Sequence, residues 1–296
     1  MLARKQPYFS IIIPTYNRAD IILETINSVL SQRFANFELI IVDDGGTDDT
    51  EKVIEAIDDR RVYYFKKENA ERGAARNFGA NKSKGVYLNF LDSDDLLYPN
   101  HLECAFEFIE KKDPSVFFQH YNLILNNRVQ TVPVPKGKVI NDLLVRKGNF
   151  LSCDGSFIKR SIFMKHPFSE CREMSASEDF ELWLRLAARF PIFYLPNVTS
   201  SIRLHEERSV LNINIKDLIQ RKELMLASIF ADETFMNHYG SFKSSLIADA
   251  YFYISLHLIL SDNKKSGLNY LLKGVYKRPN LIFSKRFWAI IKHLIF

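Results

Sequence analysis

The sequence predicts an α/β protein in which a mostly parallel sheet is flanked by helices and followed by a helical extension. Apolar, β-branched runs alternate with segments of helical spacing over the first half of the chain, a pattern that is typical of βαβ units and a parallel sheet. Beyond Asn212 the sequence turns helical. We therefore divide the chain into residues 1–212 and residues 213–296.

The strands of the first half are predicted from short apolar runs that end in turn-forming or acidic residues. The strand-like runs cover residues 8–16, 37–44, 61–67 and 85–92. The first run is rich in β-branched residues and stops at Pro14, while the second ends in Asp43 and Asp44. Such runs are the expected signal of strands that are buried on both faces of a sheet.

Helical segments separate these strand-like runs. They cover residues 21–32, 45–57 and 73–82. In the first segment, Ile22, Ile26 and Val29 fall on one side of a helix. In the second segment, Asp48 and Glu51 have the spacing of a capping box at a helix start. The alternation therefore predicts helices packed on a sheet.

Composition bounds the class of protein. With 296 residues of which 47% are hydrophobic, the chain can bury a large core. Its three cysteines share no short spacing, which argues against a zinc knuckle or a disulfide framework and fits a reducing cytosol. We find no apolar signal core at the amino terminus and no uninterrupted apolar run of about 18 residues. We therefore expect a cytoplasmic protein with no spanning helix.

The positive charge of the chain is confined to its tail. The net charge is +5, but eight lysines and arginines and no acid follow Asp262, so the rest of the chain is slightly acidic. A nucleic-acid-binding protein is expected to carry its positive face with its recognition motif. We therefore do not expect a nucleic-acid partner.

Polar residues follow three of the predicted strands at the point where each strand ends. They are Pro14 to Arg18, Asp43 to Gly45, and Asp92 to Asp95. Ligands of parallel sheets bind beyond the carboxyl ends of the strands, and clustered carboxylates there suit a hard divalent cation. The alternative is that Asp94 or Asp95 caps the helix that follows, in which we also expect His101.

Two further residues are open to more than one interpretation. Arg76 lies in the third helical segment, where it would face a nucleotide phosphate, brace the acidic cluster, or simply be solvated. Asp44 would accept a hydrogen bond from a base or a ribose hydroxyl, or cap the next helix. For Arg76 and for Asp44, the sequence alone leaves these interpretations open.

Five motifs in order carry a resemblance to a known family. The stretches "IIIPTYNR", "IIVDDGGTDDT", "RGAARNFGA", "LNFLDSDD" and "SEDFELWLRLA" resemble the inverting, nucleotide-sugar-dependent glycosyltransferases of family two, which have the GT-A fold. The resemblance covers about residues 8 to 210. It implies a transferase of hexosyl or N-acetylhexosaminyl type, of the kind that builds bacterial cell-surface polysaccharides.

The resemblance implies a nucleotide-sugar site at the start of the chain. Pro14, Thr15 and Asn17 match the first loop, which lines the nucleotide pocket. Asp44 matches an Asp that contacts the uracil or other base, and Arg76 matches an Arg near the nucleotide. One departure is Gly46, which stands where the family usually has Ser or Thr.

The resemblance also implies a metal site. Asp92 and Asp94 match the DxD motif, with Asp94 expected on the ribose and phosphate side. Asp94 or Asp95 would then be the ligand of Mg²⁺ or Mn²⁺. His205 lies where relatives often have a His near the metal or diphosphate, although a structural role is the alternative.

The last motif implies the catalytic residues. Asp179 is the expected base for the acceptor hydroxyl, and Glu178 would orient it or the acceptor. A direct in-line attack would invert the anomeric carbon. The alternative is structural, because Ser175 and Glu178 have capping-box spacing and acids complement a helix dipole.

The extension predicts a helix hairpin and an amphipathic tail. Residues 244–261 and 265–276 have helical lengths, and residues 280–296 combine Trp288 and other apolar residues with cations. Such a tail either lies on an anionic bilayer or docks on the catalytic domain. In the first case the acceptor would be a lipid-linked glycan at the inner face of the plasma membrane.

We therefore expect a metal-dependent inverting glycosyltransferase that moves a sugar from a nucleotide-diphosphate donor, expected to be a UDP-sugar, to a glycan or lipid-linked acceptor. One alternative is a sugar-phosphate nucleotidyltransferase, which would need a Gly-rich, Lys-bearing phosphate loop that "PTYNRAD" lacks. The other is a degenerate nucleotide- or glycan-binding module, against which the intact Asp94, Asp95 and Asp179 argue.

Overall fold

The computed structural model describes residues 6–126, 128–204 and 214–295, with only the backbone at 285 and 295. The strands are β1 Phe9–Thr15, β2 Phe37–Asp43, β3 Val62–Lys66, β4 Tyr87–Phe90, β5 Leu96–Leu97, β6 Val116–Leu125, β7 Arg128–Thr131, β8 Ser156–Lys159 and β9 Ile192–Leu204. The helices are α1 Ile22–Leu30, α2 Thr50–Glu55, α3 Glu71–Lys82, α4 His101–Lys112, α5 Asn141–Lys147, α6 Arg160–Phe163, α7 Glu178–Ala187, α8 Ile215–Ala231, α9 Glu233–Tyr239, α10 Lys243–Leu260, α11 Lys264–Lys277 and α12 Lys285–Ile295.

The strands form one sheet with the order β3-β2-β1-β4-β8-β6-β9-β5, and β7 pairs with β6. The first four strands of the chain are parallel to one another, as the βαβ alternation predicts. The sheet becomes mixed beyond β4, because β8 runs antiparallel to both β4 and β6 while β6 and β9 are parallel. The α/β class and the helical extension are both confirmed.

Helices cover both faces of the sheet. Side chains of β1 point alternately into two cores, so that Ile12 packs on the side of α3 and α7 while Ile11 and Ile13 pack on the side of α1 and α4. A Cβ atom at Gly79 of α3 would lie 2.5 Å from the Ile12 side chain. The small residue therefore allows α3 to lie close against β1.

The predicted capping box of α2 is wrong, because Asp49 and not Asp48 lies at the N-cap position and it makes no side-chain cap hydrogen bond. The Asp48 carboxylate accepts a hydrogen bond from the Thr50 amide at 3.0 Å. Glu51 does not reach back and instead binds Lys66 of β3, with 2.9 Å between Oε2 and Nζ. The lysine attracts Glu51 away from the helix start because β3 runs beside this end of α2.

The extension forms the predicted helix hairpin and joins the core of the first part. Helices α10 and α11 pack side by side after a short turn, and α12 docks on them through Ile290. Met225 and Ile229 of α8 belong to the same hydrophobic cluster as Trp183 of α7. The boundary at residue 212 stays a prediction, because α8 and α7 share one core.

Helix α12 packs on the other helices of the extension through one face only. Ile290 is fully buried, whereas 61% of Trp288 is exposed. Among the described residues, we find no helix with both the length and the apolar character that a bilayer-spanning segment needs.

Candidate functional site

A cleft of about 720 Å³ opens at the carboxyl ends of β1, β2 and β4 and at the amino end of α7. This is the volume of a typical small-molecule site. Its wall includes Pro14, Thr15, Tyr16, Arg18, Asp44, Arg72, Arg76, Asp92, Asp94, Cys153, Glu178 and Asp179. Motifs that are separated by more than 160 residues in the sequence therefore meet in one place.

Asp43 and Asp44, at the end of β2, have different contacts. Asp43 is buried and holds the loop, because its carboxylate accepts hydrogen bonds from the Gly46 amide at 2.7 Å and the Tyr64 hydroxyl at 2.8 Å. Asp44 lines the cleft, and its Oδ1 accepts from Lys67 Nζ at 2.6 Å. The second aspartate is therefore the one available to a ligand.

Asn17 lies beside the cleft rather than in its wall. Its backbone φ is +50°, and its Oδ1 accepts hydrogen bonds from the amides of Thr47 and Asp48 at 2.7 and 3.3 Å. A Cβ at Gly46 would lie 2.8 Å from Asp43 Oδ1 and 3.1 Å from Asn17 Oδ1. In this chain the glycine is therefore part of a tightly packed loop, and contact of Asn17 with a nucleotide stays a prediction.

Three carboxylates gather after β4. Asp92, Asp94 and Asp95 each offer one oxygen, and these oxygens lie within 4.8 Å of one another. Hard divalent cations take carboxylate oxygens as ligands, so the donor set fits Mg²⁺ or Mn²⁺. Of the three, Asp95 is the most buried, and its Oδ1 accepts a hydrogen bond from the Arg203 amide at 2.7 Å.

The capping alternative for this cluster is wrong. Helix α4 begins at His101 with Asn100 at its N-cap position, after the short strand β5. Neither Asp94 nor Asp95 lies at the start of that helix, because β5 separates them from it. His205 lies outside the described residues, so its role at the metal site stays a prediction.

Arg76 joins the acidic cluster to the start of α7. Its side chain is buried, with 2.8 Å between Nη1 and Glu178 Oε1 and 2.6 Å between Nη2 and Asp92 Oδ1. The guanidinium also lies over the Phe168 ring, 5.2 Å from its centre. The expectation of a solvated arginine is therefore wrong and the bracing interpretation is confirmed, while contact with a nucleotide phosphate stays a prediction.

The structure also excludes the capping box at α7. Glu178 is 2% exposed and turns inward to Arg76, while the Ser175 hydroxyl donates to Glu71 Oε2 at 3.0 Å. Helix α7 begins at Glu178 with no side-chain cap. The buried arginine attracts Glu178 because no other cation lies closer to its carboxylate in the described parts of the chain.

Asp179 faces the cleft. Its Oδ2 accepts a hydrogen bond from Asn149 Nδ2 at 3.1 Å, and its Oδ1 accepts from the Phe180 amide at 2.6 Å. Burial raises the pKa of the Asp179 carboxyl above its ordinary value, and the neighbouring Glu178 carboxylate raises it further. A carboxylate with a raised pKa is a stronger base than an ordinary one.

Two residues at the site were missed by sequence reasoning. Asn149 comes from the loop after α5, which carries no recognisable motif, and lies 30 residues before its partner Asp179. The thiol of Cys153 lines the cleft, and burial raises its pKa well above the usual value. Neither residue has a local signal, because each reaches the site only through the packing of the β6–β8 region.

His101 is a structural residue. It is buried beneath the sheet, and its Nδ1 lies 2.8 Å from Thr199 Oγ1. Burial lowers the pKa of His101 to about 3. The imidazole is therefore neutral, and the prediction that it belongs to a helix is confirmed.

Comparison with known proteins identifies a family. A family model described as Glycosyl transferase family 2 matches residues 10–166, which is more than half of the chain. An uncharacterized glycosyltransferase of Rickettsia conorii is 27% identical over 303 residues, covering 96% of this chain and 45% of that protein. The WfgD protein of Escherichia coli, a UDP-Glc:alpha-D-GlcNAc-diphosphoundecaprenol beta-1,3-glucosyltransferase, is 32% identical over 60% of this chain and 68% of its own length.

The chain spans less than half the length of the Rickettsia relatives that it matches. Solved structures share its fold over almost its whole length. The S. aureus TarS 1-349 structure in complex with UDP has a TM-score of 0.67 and 20% identity, over 97% of this chain and 88% of that one. The mannosyltransferase PcManGT of Pyrobaculum calidifontis, in complex with GDP-Man and Mn²⁺, has a TM-score of 0.62 and 16% identity over 99% and 86%.

The order of motifs, the cleft that unites them, and the matching family model lead to one assignment. The chain has the GT-A fold and belongs to glycosyltransferase family 2.

Proposed function

We propose that this protein is a metal-dependent, inverting glycosyltransferase that moves a hexosyl or N-acetylhexosaminyl group from a UDP-sugar to a hydroxyl of a glycan or lipid-linked acceptor. We place it in the assembly of a bacterial cell-surface polysaccharide. The observation that carries the proposal is the cleft that unites Asp44, Asp92, Asp94 and Asp179, with Asp95 buried beside the other two carboxylates of the cluster.

The donor is assigned from the chemistry of the cleft and from the relatives. Asp44 would accept from the base or the ribose, beside Pro14 and Thr15, which form the floor at the end of β1. The WfgD relative takes UDP-Glc, and TarS has been crystallised with UDP and with UDP-GlcNAc. These names support a uridine nucleotide here.

Asp94 and Asp95, with Asp92 beside them, would hold Mg²⁺ or Mn²⁺. The cation would act as a Lewis acid that stabilises negative charge on the departing diphosphate. Arg76 keeps Asp92 in position through its short ion pair and so maintains the shape of the carboxylate set. The PcManGT structure contains Mn²⁺, which supports a divalent ion in this fold.

Asp179 is the proposed base. Its carboxylate accepts the proton of the acceptor hydroxyl as the hydroxyl oxygen forms a bond to the anomeric carbon. The bond from that carbon to the diphosphate oxygen breaks at the same time, and its electron pair leaves with the nucleoside diphosphate. Attack opposite to the leaving group inverts the anomeric carbon. Asn149 orients Asp179 through its hydrogen bond, and Arg76 fixes the neighbouring Glu178 carboxylate through their ion pair.

The C-terminal helices are proposed to contact an anionic bilayer. On α11 the apolar residues Leu268, Leu272 and Tyr276 recur every four residues and are exposed, and Phe283 and Trp288 are exposed nearby in the chain. The eight cations of the tail surround them in the sequence. Apolar anchors flanked by cations are typical of helices that lie on a membrane surface, which would bring a lipid-linked acceptor to the cytoplasmic face.

A vesicle assay tests this contact. We expect the protein to co-sediment with anionic vesicles and not with neutral ones, and expect Phe283→Ala with Trp288→Ala to weaken the binding. Val129→Ala, which shortens an exposed apolar side chain on β7, is the control. Equal sedimentation of all three proteins would contradict the proposed surface.

A binding panel tests the donor and the metal. UDP, GDP, dTDP and CMP are each added with Mn²⁺ and with EDTA, and the melting temperature is measured. We expect stabilisation by UDP only when the metal is present, because a ligand that binds the folded state raises its stability. Equal stabilisation by UDP in EDTA would contradict metal dependence.

Turnover tests the enzyme against a degenerate binding module. Asp179→Asn is expected to lower kcat by about 10²- to 10⁴-fold, the usual contribution of a positioned base, without changing the affinity for UDP. Asp58→Asn, at an exposed carboxylate remote from the cleft, is the matched control. An Asp179→Asn protein with full turnover would refute the assigned base.

A further inference from the structure

Lys222, on helix α8 of the extension, contacts the start of α7. Its Nζ donates a hydrogen bond to Ser177 Oγ at 3.0 Å. Ser177 is fully enclosed and is the residue from which α7 begins, immediately before Glu178 and Asp179. The family model ends at residue 166, so this lysine comes from a part of the chain that the family pattern does not cover.

The segment that Lys222 supports has an unusual backbone. Ala176, next to Ser177, has φ +68°, a conformation that residues with a side chain rarely adopt and that costs on the order of 1 kcal/mol or more. Ala176 also lines the cleft. A strained segment keeps its shape only when the surrounding contacts hold it, and the Lys222 hydrogen bond is one of those contacts.

The ammonium of Lys222 is itself enclosed. It lies over the Tyr253 ring of α10, 4.8 Å from the ring centre. Burial lowers the pKa of Lys222 to about 8, and the nearby Arg221 and Arg286 act in the same direction, while Asp179 and Glu178 act against it. The lysine is therefore charged at neutral pH because two carboxylates of α7 face it.

The effect on Asp179 is reciprocal. Lys222 and Arg76 lower the pKa of the Asp179 carboxyl, whereas burial and Glu178 raise it. The other groups that face Asp179 are the Asn149 amide, the Phe180 backbone amide and the Cys153 thiol. Lys222 is the cation of the extension that lowers the pKa of Asp179.

A second contact keeps α8 in register with α7. Ser228 donates a hydrogen bond to Glu181 Oε1 at 2.8 Å, and Arg185 donates to the same oxygen at 2.8 Å. Lys222 and Ser228 are six residues apart, so α8 contacts α7 at two points along its length. The position of Nζ relative to Ser177 is therefore fixed by the packing of the two helices.

We propose that Lys222 is a positioning residue for the proposed transfer reaction: its hydrogen bond to Ser177 holds the Ala176–Ser177 segment and so the start of α7, and it brings a positive charge to the side of Asp179. The proposal rests on the proposed function of Asp179 as the base. It assigns to the helical extension a part in positioning the base, in addition to its part in the core.

The test compares pH profiles of kcat/KM. Lys222→Met removes the charge and keeps most of the volume, and Lys222→Arg keeps the charge. An opposite charge nearby lowers the pKa of a carboxyl, so we expect the acid limb of the Lys222→Met profile to move to higher pH. Lys222→Arg should restore the limb, and Lys216→Met, at an exposed position of the same helix, should leave it unchanged.

Two measurements separate a positioning role from a merely structural one. UDP affinity should be the same in all variants, and a lower rate with an unshifted acid limb would overturn the proposal. If Lys222→Met fails to fold, Lys222→Gln and Ser177→Ala take its place, and the second of these should lower kcat without moving the limb. A Ser177→Ala protein with wild-type kcat would overturn the hydrogen-bond part of the proposal.

The proposal stays testable even if the proposed function fails. The pKa of Asp179 can be read by NMR from ¹³C-labelled aspartate without any substrate. A higher pKa in the Lys222→Met protein than in the wild type supports the inference. Identical values would overturn it, whereas a wild-type protein without transferase turnover would overturn only the proposed function.

Discussion

Replacing Arg76 by Met is the sharpest test of how the site is held together. The substitution keeps a side chain of similar length but removes a buried cation from between Glu178 and Asp92. Glu178 is almost completely enclosed and loses its buried partner, while Asp92 is partly exposed and regains water. Breaking a buried ion pair on one side costs about 3–5 kcal/mol.

The expected loss can be read from thermal unfolding. For a chain of this size, 1 kcal/mol corresponds to roughly 2–4 °C, so we expect the melting temperature of Arg76→Met to fall by about 10 °C. Arg33→Met is the matched control, because Arg33 and its partner Glu103 are largely exposed and such pairs contribute about 0–1 kcal/mol.

A second variant separates the ion pair from side-chain packing. Adding Glu178→Met to Arg76→Met removes the buried carboxyl that has lost its partner, so the double variant should regain part of the stability lost by the single one. The reasoning would be refuted if Arg76→Met melted within 2–3 °C of Arg33→Met, about the width of a 1 kcal/mol difference, or if the double variant were as unstable as the sum of the two single variants.

Two further predictions concern residues outside the chemistry. Burial lowers the pKa of His101 to about 3, so the folded state binds fewer protons than the unfolded state below pH 6.5. The free energy of unfolding should therefore fall as the pH drops from 6.5 towards 3, by about 2 kcal/mol at pH 5. Urea unfolding of His101→Gln should show a flatter pH dependence than the wild type, and an unchanged pH dependence would contradict the neutral, buried imidazole. Gly46→Ala places a methyl group 2.8 Å from Asp43 Oδ1 and should lower the free energy of unfolding by about 1–3 kcal/mol. Gly240→Ala is the control, because the nearest neighbour of its new methyl group is the flexible end of Met236, and its stability should be nearly unchanged. Equal melting temperatures for the two variants would contradict the tight packing of the loop after β2.

The first half of the fold was predictable because its structure is local. Strands β1 to β4 alternate along the chain with helices α1 to α3, and each of these strands pairs in parallel with another strand of the same group, so periodicity alone indicated each of them. The acidic residues after β2 and β4 could be assigned to the sheet edge for the same reason. Their neighbours along the chain already determine which end of each strand they occupy.

The second half was not predictable in this way. Strand β8 lies between β4 and β6, and β6 pairs with β9 about 75 residues later, so these partners have no local pattern that links them. The contacts of Asn149 with Asp179 and of Lys222 with Ser177 depend on that long-range packing. The motif "SEDFELWLRLA" predicted the base with a capping box as the alternative, and the ion pair of Glu178 with the buried Arg76 excludes the capping box.

Glu178 and Asp179 are consecutive residues in the wall of the cleft, yet Glu178 is 2% exposed and paired with Arg76, whereas Asp179 is less buried and accepts a hydrogen bond from Asn149. Successive side chains on a helix point about 100° apart, so the order of the two acids determines which of them meets solvent. Exchanging them would preserve net charge, hydropathy and composition. It would nevertheless place the longer Glu side chain at the position of Asp179 and the shorter Asp side chain opposite the Arg76 guanidinium. The order of the two acids in "ED" therefore matters to the site as much as their presence.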